Sequence, residues 1–319
     1  MTRFPAPLLV VYSVLSVQFG QAIGKSLFGP VGPGGVVALR LGLASLVLLL
    51  IFRPALPRGR ANVVLVLGFG TAIAGMNLIY PAMQYLPLGL ATSLQLLGPI
   101  TLALLTARRL LDAGFAALAG LGVWLFHSPA GAHYALPGIL LALASGAAMA
   151  AYLLLSRRAG AHMAAAAPLV WAVTWAAVLT VPIGVAESGA ALLDSRVLAI
   201  GLVVAVMAVV LPYSLELVAL RRIPPRIVGI LQSLEPAAAG LAGTLILAEH
   251  LDALQWLALV CVGAASAGTV VGHRRRKSPA TDRRGGENGL LTRRPQRRPA
   301  EEATGHTRHR AAQETETET

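Results

Sequence analysis

Few side chains in this 319-residue sequence can hold a charged molecule or move a proton, and the informative ones interrupt long apolar runs. Glu235 is foremost. It lies about nine residues into an apolar stretch long enough to cross a bilayer, near its centre, where an acidic residue costs about 2.5–3.5 kcal/mol to insert. A carboxyl group there can exchange a proton or bind a cargo ammonium; alternatively it stays protonated and bonds a neighbouring helix or the backbone loosened beside Pro236. Glu216 lies near the end of the preceding apolar stretch, where it faces either a cavity or Arg221 and Arg222 in the headgroup region. Tyr213 adjoins the kinking Pro212 and is well placed to face a cavity. Arg40 either snorkels to water or is a fixed cation for a carboxylate, bidentate where geometry allows. Asn77, Gln95 and Gln232, with Gln18 and Gln21, are uncharged hydrogen-bonding groups that serve helix contacts or a ligand.

Two of these glutamines belong to a repeat. Pro87-Leu88-Gly89-Leu90-Ala91-Thr92-Ser93-Leu94-Gln95-Leu96-Leu97-Gly98-Pro99 and Pro224-Pro225-Arg226-Ile227-Val228-Gly229-Ile230-Leu231-Gln232-Ser233-Leu234-Glu235-Pro236 place a proline, a Leu-Gln pair, a leucine and a second proline at the same offsets. The second proline of each copy, Pro99 or Pro236, has no N–H for the carbonyl four residues back, that of Gln95 or Gln232. Helix breaks are therefore expected at both prolines. At bilayer depth each freed carbonyl needs protein, water or ligand as a partner.

The elements that position these groups are membrane helices. The chain is 56% hydrophobic and 13% charged, with a mean hydropathy of +0.70, far too apolar for a soluble domain of this size. A bilayer core of about 30 Å needs about 20 apolar residues per helix, and ten windows qualify: 8–26, 35–52, 62–80, 88–107, 112–127, 137–156, 166–185, 196–217, 226–247 and 253–272. Turn residues separate them at 29–34, 53–54, 128–129 and 223–225. Fifteen Lys and Arg fall on one set of alternate connections, from Arg3 through Arg53, Arg108, Arg157 and Arg221 to Lys277, against Lys25 and Arg196 on the other. Cations are retained on the cytoplasmic side, so both termini are expected there, in the inner membrane.

A weaker echo links Val11-Tyr12-Ser13-Val14-Leu15-Ser16 with Ala151-Tyr152-Leu153-Leu154-Leu155-Ser156. Together with the proline repeat it divides the chain into 1–134 and 135–272, five helices each. Because five is odd, the second half enters the membrane with opposite polarity, the usual basis of alternating access. The fold expected is all-α and polytopic, ten helices in two inverted five-helix repeats. The tail, 273–319, is basic and nearly devoid of apolar residues, and is expected to be disordered.

Several classes are excluded. The charge of +12 reflects the tail and loops and carries no nucleic-acid-binding signature. Cys261 is the single cysteine, so no internal disulfide forms, and no metal-binding or cofactor motif is present. An intramembrane transferase would need clustered aspartates for divalent metal, whereas Asp112, Asp194 and Asp252 stand apart. A sensor or scaffold acting through the tail has no motif to support it. The remaining reading is a secondary transporter, not an enzyme, whose partners are a small-molecule substrate, the lipid bilayer and a coupled proton.

Ala38-Leu39-Arg40-Leu41, Gly75-Met76-Asn77, Pro87 to Ala91 through Gly98-Pro99, Leu211-Pro212-Tyr213-Ser214-Leu215-Glu216, Ser233-Leu234-Glu235-Pro236-Ala237 and Ala248-Glu249 resemble the EamA-type drug/metabolite transporters, and within them the threonine and homoserine exporters. The likeness spans about 265 residues and excludes the tail. It implies ten helices in two inverted repeats and export of small metabolites, amino acids such as threonine or homoserine, from the cytoplasm. It departs at Gln95, where those exporters tend to carry an acidic residue.

Overall fold

A computed structural model of the chain describes residues 5–105, 110–127, 134–162, 166–220, 222–223 and 225–272. The tail, Arg108 and Arg109, Arg221 and the expected turn at 128–129 lie outside those residues.

Among the described residues the chain is helical and has no strand: α1 Ala6–Ser26, α2 Phe28–Phe52, α3 Arg60–Met76, α4 Ile79–Ala82, α5 Leu88–Leu105, α6 Leu110–His127, α7 Leu136–His162, α8 Ala167–Ser188, α9 Ser195–Ala205, α10 Leu211–Leu220, α11 Pro225–Gln232, α12 Glu235–Leu247 and α13 Ala253–Gly272. A 3₁₀ turn, Gly189–Leu193, precedes α9, and a π-helical segment, Val206–Val210, joins α9 to α10. Among the described residues seven stretches are long and apolar enough to cross a membrane, and large apolar side chains such as Leu50, Ile51, Leu105, Ile183 and Leu245 face outward. That is the exterior of a multi-pass membrane protein.

Local chemistry accounts for the boundaries. Asp194 caps α9 by accepting from the backbone N–H groups of Arg196 (2.9 Å) and Val197 (3.0 Å). The segment 29–34, expected as a turn, is instead helix with one interruption at Gly32, whose φ of 63° suits glycine. The Glu187 carboxylate leaves no room for a Cβ at Gly32 or Gly34.

The expected continuous spans at 62–80, 196–217 and 226–247 are each interrupted: at Asn77-Leu78, in the π segment and at Ser233-Leu234. Pro236 stands just after the last of these, at the start of α12. The expected break at Pro99 is absent, because α5 runs helically through it. There α7 approaches at backbone distance. A Cβ at Gly146 would stand 2.6 Å from the Gln95 carbonyl oxygen, and one at Gly98 would overlap the Gly146 carbonyl. The carbonyl that Pro99 frees is thus shielded by packing rather than by a change of helix direction.

The helices pair in a regular way. α2 packs along α8, and α6 along α13; α7 packs on α5 and α3, while α1 packs on α12 and α10; α8 also packs on α3, and α9 on α2. Glycines permit the closest of these approaches, as where Gly184 of α8 meets Ala38 and the Gly34 carbonyl of α2.

Candidate functional site

A cavity of about 120 Å³ lies inside the bundle, and the polar side chains singled out from sequence line it, among them Arg40, Asn77, Gln95, Tyr213, Glu216, Gln232 and Glu235. They come from α2, the α3–α4 interruption, α5, α10, α11 and the first residue of α12, joined by Gln18 and Gln21 of α1 and Tyr152 of α7. Among the described residues, none of the lining comes from α6, α8 or α13.

Arg40 does not snorkel. Its Nη1 donates to Asn77 Oδ1 at 2.7 Å and its Nη2 to the Ala208 carbonyl at 3.0 Å. Both acceptors follow from local backbone chemistry. Pro212 has no N–H for the Ala208 carbonyl four residues back, so that oxygen in the π segment is open to the guanidinium. Asn77 interrupts α3 from α4, and its Nδ2 returns a bond to the Ile73 carbonyl at 2.8 Å, which fixes its oxygen toward Arg40. The guanidinium also lies 5.3 Å from the centre of the Tyr80 ring, a cation–π distance.

Gln95 is engaged through its amide nitrogen. Its Nε2 donates to Ser145 Oγ at 2.6 Å and to the Met76 carbonyl at 3.2 Å, while Ser145 Oγ donates to that carbonyl at 2.6 Å. Met76 ends α3, so its carbonyl lacks a partner within the helix, and side chains of α5 and α7 supply one.

The second half carries the acidic groups. Gln232 at the end of α11 donates from Nε2 to Glu216 Oε1 at 3.2 Å. Glu216 therefore turns into the cavity, not to the headgroup region. Glu235 begins α12 directly after the Ser233-Leu234 interruption. That interruption is held by tightened bonds from Ser233 N to the Ile230 carbonyl (3.3 Å) and Leu234 N to the Leu231 carbonyl (3.1 Å), and by α13, whose Gly263 lies so close that a Cβ would stand 2.7 Å from the Ser233 carbonyl. The two carboxyl groups, the guanidinium and several amides that line one cavity can hold a zwitterion and exchange a proton.

Beyond the cavity, Lys25 at the end of α1 pairs with Glu249, just beyond α12, at 2.7 Å, both side chains under one-fifth exposed. Glu249 Oε2 also accepts from Leu88 N at the start of α5, at 3.0 Å, and Lys25 Nζ donates to the Leu86 carbonyl at 3.2 Å. Sequence reasoning missed this pairing and the roles of Ser145 and the Ala208 carbonyl. The proline rule applied to Gln95 and Gln232 would have found Ala208 from Pro212; Ser145 carries no such signal. Among the described residues, no cluster of His, Cys, Asp and Glu could hold a metal ion.

The comparisons with known proteins agree with this architecture. The EamA-like transporter family matches residues 136–271. Threonine/homoserine exporter RhtA of Salmonella typhimurium (strain LT2) is 42% identical over 273 residues, covering 84% of this chain and 92% of the relative. Its Escherichia coli (strain K12) counterpart is 41% identical over 268 residues, covering 82% and 90%. A solved crystal structure superimposes with a TM-score of 0.56 at 19% identity, over 88% of this chain and 100% of the other, a likeness of fold alone. The chain belongs to the EamA-like transporter family and shares 41–42% identity with threonine/homoserine exporters, which sets it among transporters rather than enzymes.

Proposed function

We propose that this protein exports small α-amino acids, threonine and homoserine among them, from the cytoplasm across the inner membrane by alternating access. The observation that carries the reading is the cavity itself: a fixed cation, two carboxyl groups and several amides enclosed within a chain 41–42% identical to threonine/homoserine exporters. Arg40, held by Asn77 and the Ala208 carbonyl, receives the cargo carboxylate. Glu235, with Glu216 and Gln232 beside it, takes up and releases the proton that drives transport, and Tyr213 completes that wall.

The architecture proposed is ten crossings in two inverted repeats, 1–134 and 135–272. The packing supports it. Exchange α1 with α7, α2 with α8, α3 and α4 with α9 and α10, α5 with α11 and α12, and α6 with α13, and the principal helix pairs map onto one another: α5–α7 becomes α12–α1, α3–α7 becomes α10–α1, and α2–α8 and α6–α13 map onto themselves. That is the contact pattern of a two-fold relation. The family match beginning at residue 136 agrees with the division. With both termini cytoplasmic, Lys25 and Glu249 tie the outer ends of α1, α5 and α12.

Everted membrane vesicles containing the protein test the reading. Radiolabelled threonine and homoserine are expected to enter them faster than empty controls, and faster still under an imposed proton gradient. Uptake of neither, with the protein present in the membrane, overturns it.

A further inference from the structure

Gln18 and Gln21 are three residues apart on α1, so they share one face of that helix, and both line the cavity. They are only 1% and 6% exposed, yet the amide oxygen of each lacks a hydrogen-bond partner. A buried acceptor left unpaired costs about 1–3 kcal/mol. Two on one face of one cavity therefore point to donors that arrive from outside the protein.

The neighbouring polar groups sharpen what those donors must be. Asn77 is bonded through both its oxygen and its nitrogen and Gln95 through its nitrogen, and Arg40, the cation of the cavity, presents donors only. A zwitterion can meet Arg40 with its carboxylate and the glutamines with the N–H groups of its ammonium. We propose that Gln18 and Gln21 form an ammonium subsite: their Oε1 atoms accept from the α-ammonium of an amino acid whose carboxylate lies on Arg40, and this selects free amino acids over N-acylated or ammonium-free analogues. The inference rests on the amino-acid export reading above. Neutral amides suit cargo that must leave again, because they hold an ammonium without the full attraction of a carboxylate. They also leave Glu235 to the proton.

The test uses the full chain in proteoliposomes and measures threonine counterflow against three competitors. 2-Aminobutyrate keeps the ammonium and lacks the hydroxyl, 3-hydroxybutyrate does the reverse, and N-acetylthreonine has a blocked amine. The wild type is expected to be inhibited by 2-aminobutyrate and by neither of the others. Gln18→Met and Gln21→Met are each expected to raise the threonine KM about tenfold, the scale of one lost hydrogen bond to a charged group, and to erase the preference for 2-aminobutyrate over 3-hydroxybutyrate. Gln18→Glu and Gln21→Glu, which keep an acceptor, retain it. Should a methionine variant fail to fold, Gln18→Asn and Gln21→Asn shorten the reach and are read by the same ratio. An unchanged KM and preference in folded variants, as expected if water alone fills the site, overturns the subsite, as does loss of hydroxyl selectivity instead. Wild-type protein that moves no amino acid overturns the export reading itself, a result distinct from unaltered selectivity in the variants.

Discussion

The stretches ending at Pro99 and Pro236 share a sequence pattern and differ in structure. In the first, α5 passes through Pro99 without a break, Gln95 is bound to Ser145 and the end of α3, and the position before the proline is Gly98, pressed against α7. In the second, the helix stops at Gln232 and resumes at Glu235, Gln232 reaches another cavity side chain, and the position before the proline is the acid itself. A proline removes one hydrogen bond in both. What the chain does with the freed carbonyl depends on what packs there: a close-fitting backbone keeps α5 helical, whereas the tightened turn against Gly263 opens the second stretch and delivers a carboxyl group to the cavity. On the export reading proposed above, the first copy holds the bundle together and the second serves transport.

The largest effect is expected where the first copy is most tightly packed. Gly98→Val puts side-chain atoms where the Gly146 carbonyl oxygen lies. Neither backbone can yield without separating α5 from α7, so the variant is expected to give almost no monodisperse protein on size exclusion in detergent. Normal yield would mean that the contact is not a constraint.

Glu235→Gln strikes the corresponding position of the second copy. It keeps size and hydrogen-bonding capacity and removes proton exchange. Folded yield is expected to match the wild type, while the stimulation of threonine uptake by a proton gradient falls to the level of vesicles lacking the protein. Retained stimulation would move the coupling site elsewhere, first to Glu216.

Paired substitutions of the glutamines compare the copies directly. Gln232→Leu removes the donor to Glu216 inside the cavity, and an acceptor left unpaired costs about 1–3 kcal/mol, so uptake at low threonine is expected to fall about tenfold. Gln95→Leu leaves the bond from Ser145 to the Met76 carbonyl intact. It is expected to cost about 1 kcal/mol of stability, seen as a slightly lower Tm, with KM unchanged. If Gln95→Leu proves the more damaging to transport, the division of labour is reversed.

Much of this was legible in sequence because an apolar background makes polar residues conspicuous. Arg40, Glu216 and Glu235 stand out in runs of Leu, Val and Ala, and each reaches the one cavity. The different fates of the two prolines were not legible, because they depend on Gly146 and Ser145 in a helix about 50 residues further on, and neither residue type is distinctive in a chain of this composition. The bridge from Lys25 to Glu249, 224 residues apart, illustrates the same limit: each residue is visible alone, but only the packing of α1 against α12 joins them. The snorkelling alternative for Arg40 was excluded by a freed carbonyl whose proline was in plain view at 212.

The smallest effect is expected at Pro99. Pro99→Ala restores an N–H four residues after the Gln95 carbonyl, in a segment already helical, and replaces a poor helix former by the best. The new bond must form beside Gly146, whose approach already shields that oxygen, so gain and crowding nearly offset. Stability is expected to change by no more than about 1 kcal/mol, with threonine uptake unaltered. Pro236→Ala carries the same chemistry into the other copy, where the restored N–H can bridge the interruption and draw α11 and α12 toward one continuous helix. Such a helix would rotate Glu235 relative to Gln232 and Glu216, and uptake should fall although the substitution favours helix. A comparable loss from both alanines would show that α5 also relies on a loosened turn during transport. Loss from Pro236→Ala alone would show that one discontinuity serves the whole cycle.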